Sequence, residues 1–203
     1  MRLAEFVLAV LLMELTPGPN MAYLAALSLA RGRVAAGFGV LGVALGLTVH
    51  AALAALGMGA LVATSPLLYQ ALRWAGVAFM LFLAWEGWRG TGATEAAPGT
   101  GLNPAALLLR GFVTNVLNPK SILFFVAVVP GFISLGAPAT RQLALLGGLY
   151  VGIATAVHLC IILAAAALRP WLMEARRAAM IRRALSLLLV LAALWLAWST
   201  NPG

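Results

Sequence analysis

Six apolar runs, Leu3 to Ala30, Val34 to Ala63, Leu67 to Trp88, Ala105 to Ile133, Gln142 to Leu168 and Ala184 to Trp198, take up most of this 203-residue chain. At about 1.5 Å per helical residue, each of the first five can cross a hydrocarbon core of about 30 Å. The sixth reaches only about 22 Å as helix, so it must recruit Met180 to Arg183, or Ser199 and Thr200, or lie in a thinned bilayer. Lipid offers the backbone no hydrogen-bond partners, which leaves helices or a closed barrel, and runs of this length read as helices. Charged residues make up 9% of the chain, against about 25% in a soluble domain. The sequence therefore predicts an all-α integral membrane protein of about six spans.

The net charge of +8 does not point to nucleic acid, because the arginines stand at the ends of apolar runs. They read as topology signals. Arg31, Arg33, Arg89, Arg110, Arg169, Arg176, Arg177, Arg182 and Arg183 fall on one side of a six-span chain, and Arg2, Arg73 and Arg141 on the other. This count places the odd-numbered connections in the cytoplasm and both termini outside. Arginine pairs alternate with apolar residues from Trp171 to Arg183, a segment expected to lie on the inner membrane surface against anionic lipid. Cys160 stands alone, which excludes an internal disulfide, a C-x-x-C pair or a cysteine metal site within one chain. Met1-Arg2 and the following apolar stretch lack a small-x-small cleavage site before Thr16-Pro17, so the N-terminus is expected to stay as part of the first span.

The first run is interrupted at its centre by Leu15-Thr16-Pro17-Gly18-Pro19-Asn20. Two prolines remove backbone donors, clash with preceding carbonyls and bias the residue before each away from helical angles. A helix break near mid-membrane is tolerated only where protein or a water-filled cavity covers the freed groups, and discontinuous helices build transporter binding sites in that way. The fourth run carries a second break, Asn118-Pro119-Lys120, also near its centre. Between them, Gly90 to Gly101 is the one Gly/Thr/Pro-rich polar stretch of any length and reads as a linker. The expected organisation is a first three-helix unit at 1–89, a flexible linker at 90–104 and a second three-helix unit at 105–203.

The second spans of the two units also correspond. Gly42-x-x-x-Gly46 is followed by His50, and Gly148-x-x-x-Gly152 by His158, each small pair expected to allow close helix contact. Three spans per unit make the second unit enter the membrane in the opposite sense, so the halves read as inverted repeats with broken first helices and a site where the breaks meet. Ionisable side chains at membrane depth cost at least about 2.5 to 3.5 kcal/mol on insertion scales, and Glu14, His50, Lys120 and His158 all sit there. A helix-to-helix hydrogen bond accounts for either histidine as well as a transport role does. Glu14 also reads as the ion-pair partner that makes Lys120 tolerable.

Leu15-Thr16-Pro17-Gly18-Pro19-Asn20, together with Gly111-Phe112-Val113-Thr114-Asn115-Val116-Leu117-Asn118-Pro119-Lys120 and Phe124-Phe125, resembles the lysine exporter (LysE/RhtB) family of bacterial amino-acid exporters. The similarity covers essentially the whole chain. The chain carries Pro130-Gly131-Phe132 where such proteins often have Pro-Gln-Phe. The resemblance implies a multi-pass protein of the bacterial inner membrane that exports amino acids or related small metabolites, driven by the proton gradient.

Substrate would then meet Thr16, Pro17, Gly18, Pro19, Asn20, Asn115, Asn118, Pro119 and Lys120 around the breaks, with Glu14, His50 and His158 as proton-coupling candidates. A zwitterion's carboxylate would accept from the half-helix starting near Asn20 or from Lys120, and its ammonium would meet carbonyls freed by the prolines, with Glu14. The expected partners are an amino acid or derivative, protons and membrane lipid, with no nucleic acid; a homodimer is compatible with the sequence. No cofactor or metal is called for. An intramembrane enzyme is disfavoured, since no G-x-S-x-G elbow, H-E-x-x-H helix or P-loop is present. A passive small-solute channel or structural membrane subunit is the alternative, and it leaves two mid-membrane polar breaks without a purpose.

Overall fold

The computed structural model describes residues 3–15, 18–57, 65–89, 103–134, 138–172 and 175–199, and among them every regular element is helical. They are α1 (Leu3–Leu15), α2 (Pro19–Ala55), α3 (Pro66–Arg89), α4 (Pro104–Val116), α5 (Pro119–Leu123), α6 (Ala139–Leu172) and α7 (Ala175–Ser199). After α5 the chain continues through a π turn, Phe124–Val128, and a 3-10 turn, Val129–Phe132. Proline opens α2, α3, α4 and α5, the position where its missing N–H is not needed and its fixed φ suits a helix start. Asn103 caps α4 by accepting from the Ala106 N–H at 3.1 Å. Thr16, Pro17 and linker residues 90–102 lie outside the described residues.

The helix α2 is a hairpin. Gly32 has φ 83° and ψ 173°, a left-handed conformation that interrupts the helix. A side chain on Gly39 would touch Leu24 and Leu27, each at 3.1 Å. In a straight helix Leu27 and Gly39 would stand about 18 Å apart. The chain therefore doubles back at Gly32, giving arms 19–31 and 33–55, as the boundary between the first and second apolar runs requires.

The second arm is the centre of the bundle. It packs on α4 along Gly42 and Gly46: a Cβ at Gly42 would collide with the backbone of Leu108, and one at Gly46 with the Asn115 side chain at 2.8 Å. Gly111 lies equally close to the backbone of Gly39. On its other side the arm meets α6, where a Cβ at Gly147 would reach the Ala51 methyl at 2.6 Å. The expected Gly148-x-x-x-Gly152 contact is not made: both residues are exposed, with nothing within 4 Å of a built Cβ. Gly147, one residue earlier, faces the partner helix instead. A second layer, α3 against α7, closes on the core through Ala22, Ala84 and Leu189, and through Val77, Ala193 and Leu123.

Residue placement is inverted relative to a water-soluble protein. Leu8, Leu12, Leu45, Leu109, Leu145, Leu163 and Leu191 are exposed, while Glu14, Asn20, His50, Asn115, Asn118 and His158 are buried. An apolar exterior around an apolar core that also encloses polar groups fits lipid. Among the described residues two stretches, Pro19–Ala55 and Ala139–Leu168, are long and apolar enough by length and composition to cross a membrane. The arginine-rich stretch expected on the membrane surface is not a separate element, because residues 175–183 are the opening turns of α7. That continuity gives the short sixth run its missing length. Arg183 lies over the Trp88 ring at 5.6 Å, which brings the start of α7 beside the end of α3 and Arg89.

Candidate transport site at the helix breaks

The first break ends α1 one residue after Glu14, so the carboxylate projects from the last turn of a half-helix into the core, where it is 5% exposed. Two side chains from one face of α6 receive it. The Tyr150 hydroxyl donates to Oε1 at 2.9 Å. His158 Nε2 lies 3.3 Å from Oε2, close enough for an ion pair yet off the line of a hydrogen bond. Tyr150, Ala154 and His158 recur every four residues and are all buried. Lys120, half-buried on α5, interacts electrostatically with Glu14 and with His158.

The second break is closed by its own residues. Leu117 N–H donates to Val113 O at 3.0 Å, Asn118 N–H to Asn115 O at 2.8 Å, and Asn118 Oδ1 accepts from Lys120 N–H at 3.1 Å, so Asn118 is the N-cap of α5. Fully buried Asn115 donates through Nδ2 to the Ser121 hydroxyl at 3.3 Å, and Ser121 is in hydrogen-bonding reach of Tyr150. A continuous polar path thus runs from Asn115 through Ser121, Tyr150 and Glu14 to His158, joining the two breaks. Among the described residues the first break shows no such side-chain cap. Gly18, buried and extended, precedes α2 with no side-chain bond, and Pro19 follows it without an N–H.

Aromatic packing aims the tyrosine. Phe124 stacks on the Tyr150 ring at 4.8 Å and Phe125 meets it edge-on at 5.1 Å. Both belong to the π turn, a widened turn of the kind that recurs at functional sites. Phe6 of α1 contacts Phe124 at 6.0 Å, tying the Glu14 helix to the same cluster.

The structure brings Glu14, Lys120 and His158 together, with Asn115 joined to them through Ser121 and Tyr150. His50 lies elsewhere, its Nε2 3.3 Å from the Val116 carbonyl at the second break and its ring 6.3 Å from Phe125. Of the expected substrate residues, Gly18, Pro19 and Asn20 line the start of α2 and Pro119 opens α5. Tyr150 and Ser121 had no assigned role in the sequence reading. The available signals were the two-turn separation of Tyr150 from His158 and the position of Ser121 beside Lys120.

Several buried polar atoms here lack a hydrogen-bond partner: Asn20 Oδ1, Asn115 Oδ1, His50 Nδ1 and both ring nitrogens of His158, of which Nε2 has only its charge contact with Glu14. Each such atom costs about 1–3 kcal/mol in a dry interior, so a cluster of them calls for an explanation. Two acceptor oxygens and a carboxylate can receive an ammonium, and Lys120 can receive a carboxylate. Among the described residues no three His, Cys, Asp or Glu side chains gather to hold a metal ion.

The family model for LysE type translocators matches residues 11–200, a span that takes in both breaks and every side chain of this cluster. The chain belongs to the LysE type translocator family. As a LysE type translocator it is a membrane transporter and not an enzyme. It is similar to the homoserine/homoserine lactone efflux protein of Salmonella typhimurium, 32% identical over 143 residues that cover 70% of this chain and 69% of the relative. It is similar also to the leucine efflux protein of Salmonella choleraesuis, at 30% over 141 residues, 66% of this chain and 65% of the other. An uncharacterized membrane protein of Vibrio cholerae is 39% identical over 95 residues, so this chain matches 46% of that relative's length. No solved structure matches the chain.

Proposed function

We propose that this translocator exports amino acids or closely related small metabolites across the bacterial inner membrane by proton antiport. The buried Glu14–Tyr150–His158 cluster beside Lys120, set between two helix breaks and surrounded by unpartnered acceptors, is the observation that carries this reading. The named efflux activities of the relatives support the cargo class. The cargo ammonium takes the place of the missing donors at Asn20 Oδ1 and Asn115 Oδ1, with Glu14 as its counter-charge. Its carboxylate pairs with Lys120 or with the uncapped start of α2, where the helix dipole favours an anion. No net charge is then buried when a zwitterion binds. Glu14 and His158 share a proton between them as the site changes its facing.

The six spans form two inverted three-helix units, 1–89 and 105–203, joined by residues 90–104. Their histidines support this reading through a reciprocal exchange. His50 of the first unit rests on the Val116 carbonyl at the second unit's break, while His158 of the second rests on Glu14 at the first unit's break. A twofold axis in the membrane plane relates such contacts, and rocking one unit against the other opens the site to alternate sides.

The test is uphill transport in proteoliposomes under an imposed pH gradient. The expected result is gradient-driven movement that is lost when His50 and His158 are both replaced by Gln, with exchange of cargo retained. Gradient-driven transport at full rate in the double variant would remove the histidines from coupling. Exchange without any response to the gradient in the parent protein would remove antiport.

A further inference from the structure

At the end of the bundle where α2 turns at Gly32, a cavity of about 450 Å³ opens between the turn and the last third of α6. Arg31, Gly32, Arg33 and Val34 line it from α2, and Leu163, Ala166 and Ala167 from α6. Its volume falls in the range of small-ligand sites, about 300–1,000 Å³. This site lies apart from the Glu14 cluster and shares no residue with it.

Three features give the cavity a chemistry. The Arg31 Nε is buried with no hydrogen-bond partner. Arg33 adds a second guanidinium to the same lining. Like charges gathered in a half-dry pocket repel unless an anion sits among them. The rest of the lining is apolar and open to the exterior, with Val34 65% and Leu163 51% exposed. Guanidinium forks and aliphatic side chains in one cavity at a membrane edge match an amphiphile whose head is a phosphate and whose tail is hydrocarbon. The turn is held in place from behind, since the Ser28 hydroxyl donates to the Ile162 carbonyl at 2.6 Å.

We propose that the cavity between the Gly32 turn and α6 binds one anionic phospholipid, its phosphate on Arg31 and Arg33 and an acyl chain along Val34, Leu163 and Ala167. The lipid as a whole bridges α2 to α6, its phosphate on the Gly32 turn and its acyl chain against the last third of α6.

Native mass spectrometry of the full chain in detergent, titrated with phosphatidylglycerol or phosphatidylcholine, tests this. One phosphatidylglycerol per chain should be retained in preference to phosphatidylcholine. Replacing Arg31 and Arg33 together by Gln should weaken that binding at least about tenfold, taking roughly 1 kcal/mol per arginine near an anionic lipid. Ala166→Trp, which fills the apolar side and leaves the charge unchanged, should weaken it as well. Arg176→Gln with Arg177→Gln should leave the single bound lipid in place. Circular dichroism on each variant checks that the helices persist. Equal retention of the two lipids, or loss only in the Arg176/Arg177 variant, would overturn the proposal. Displacement of the lipid by millimolar inorganic phosphate would also overturn it in favour of a soluble phosphate ligand.

Discussion

Glu14 shows how a carboxylate survives in the middle of an apolar bundle. An unpaired buried charge costs several kcal/mol, and here Tyr150, His158 and Lys120 surround it from two other helices. Tyr150→Phe should therefore lower stability by about 1–3 kcal/mol, because it leaves a buried carboxylate oxygen without its donor. Thermal unfolding in detergent reads this, and an unchanged midpoint would mean that the hydroxyl contributes nothing to holding Glu14. Asn118 acts on the backbone as a cap, so Asn118→Ala should lower stability by about 1 kcal/mol in the same unfolding measurement. The sequence makes Glu14 legible as a partner for Lys120, because an acid and a base at membrane depth must find each other. Tyr150 was not legible in the same way. A tyrosine in an apolar helix can face lipid, core or site, and only the stacking of Phe124 and Phe125 decides which.

The breaks were readable as elements because proline acts locally: Pro19 and Pro119 each open a new helix whatever surrounds them. Glycine spacing was not readable, since a small pair licenses a close contact without naming a partner. Gly42 and Gly46 meet α4, whereas Gly148 and Gly152, equally spaced, face outward and leave the contact to Gly147. Gly46→Ala should consequently destabilise the bundle, as its methyl would collide with Asn115. Gly152→Ala should be neutral or stabilise by up to about 1 kcal/mol through helix propensity. Comparing the two unfolding midpoints checks the assignment, and equal losses would contradict it. The π turn had no signature in the residues; it arises from how Phe124 and Phe125 fit around Tyr150.

Across the molecule, the arginines report orientation. Arg31 and Arg33 sit at the Gly32 turn beside the last third of α6, while Arg141 stands near the beginning of that helix, so they mark opposite ends of the bundle. With Cys160 replaced by Ala, single cysteines at Arg33 and Arg141 should react with an impermeant thiol reagent from opposite sides of the membrane, Arg33→Cys from the cytoplasm. Labelling of both from one side would overturn the topology. The all-helical membrane architecture and the family were legible because hydropathy and the proline motifs are properties of the chain itself. The doubling back at Gly32 and the meeting of α1 with α6 depend on contacts between distant segments. Counterflow of labelled homoserine, leucine and a panel of other amino acids in proteoliposomes tests most directly whether the cluster at the breaks is the cargo site, with the parent chain set against Glu14→Gln and Lys120→Met. Substrate-selective exchange in the parent, lost in both variants while their helical content is unchanged, is the predicted result; exchange that proceeds undiminished in both would contradict it.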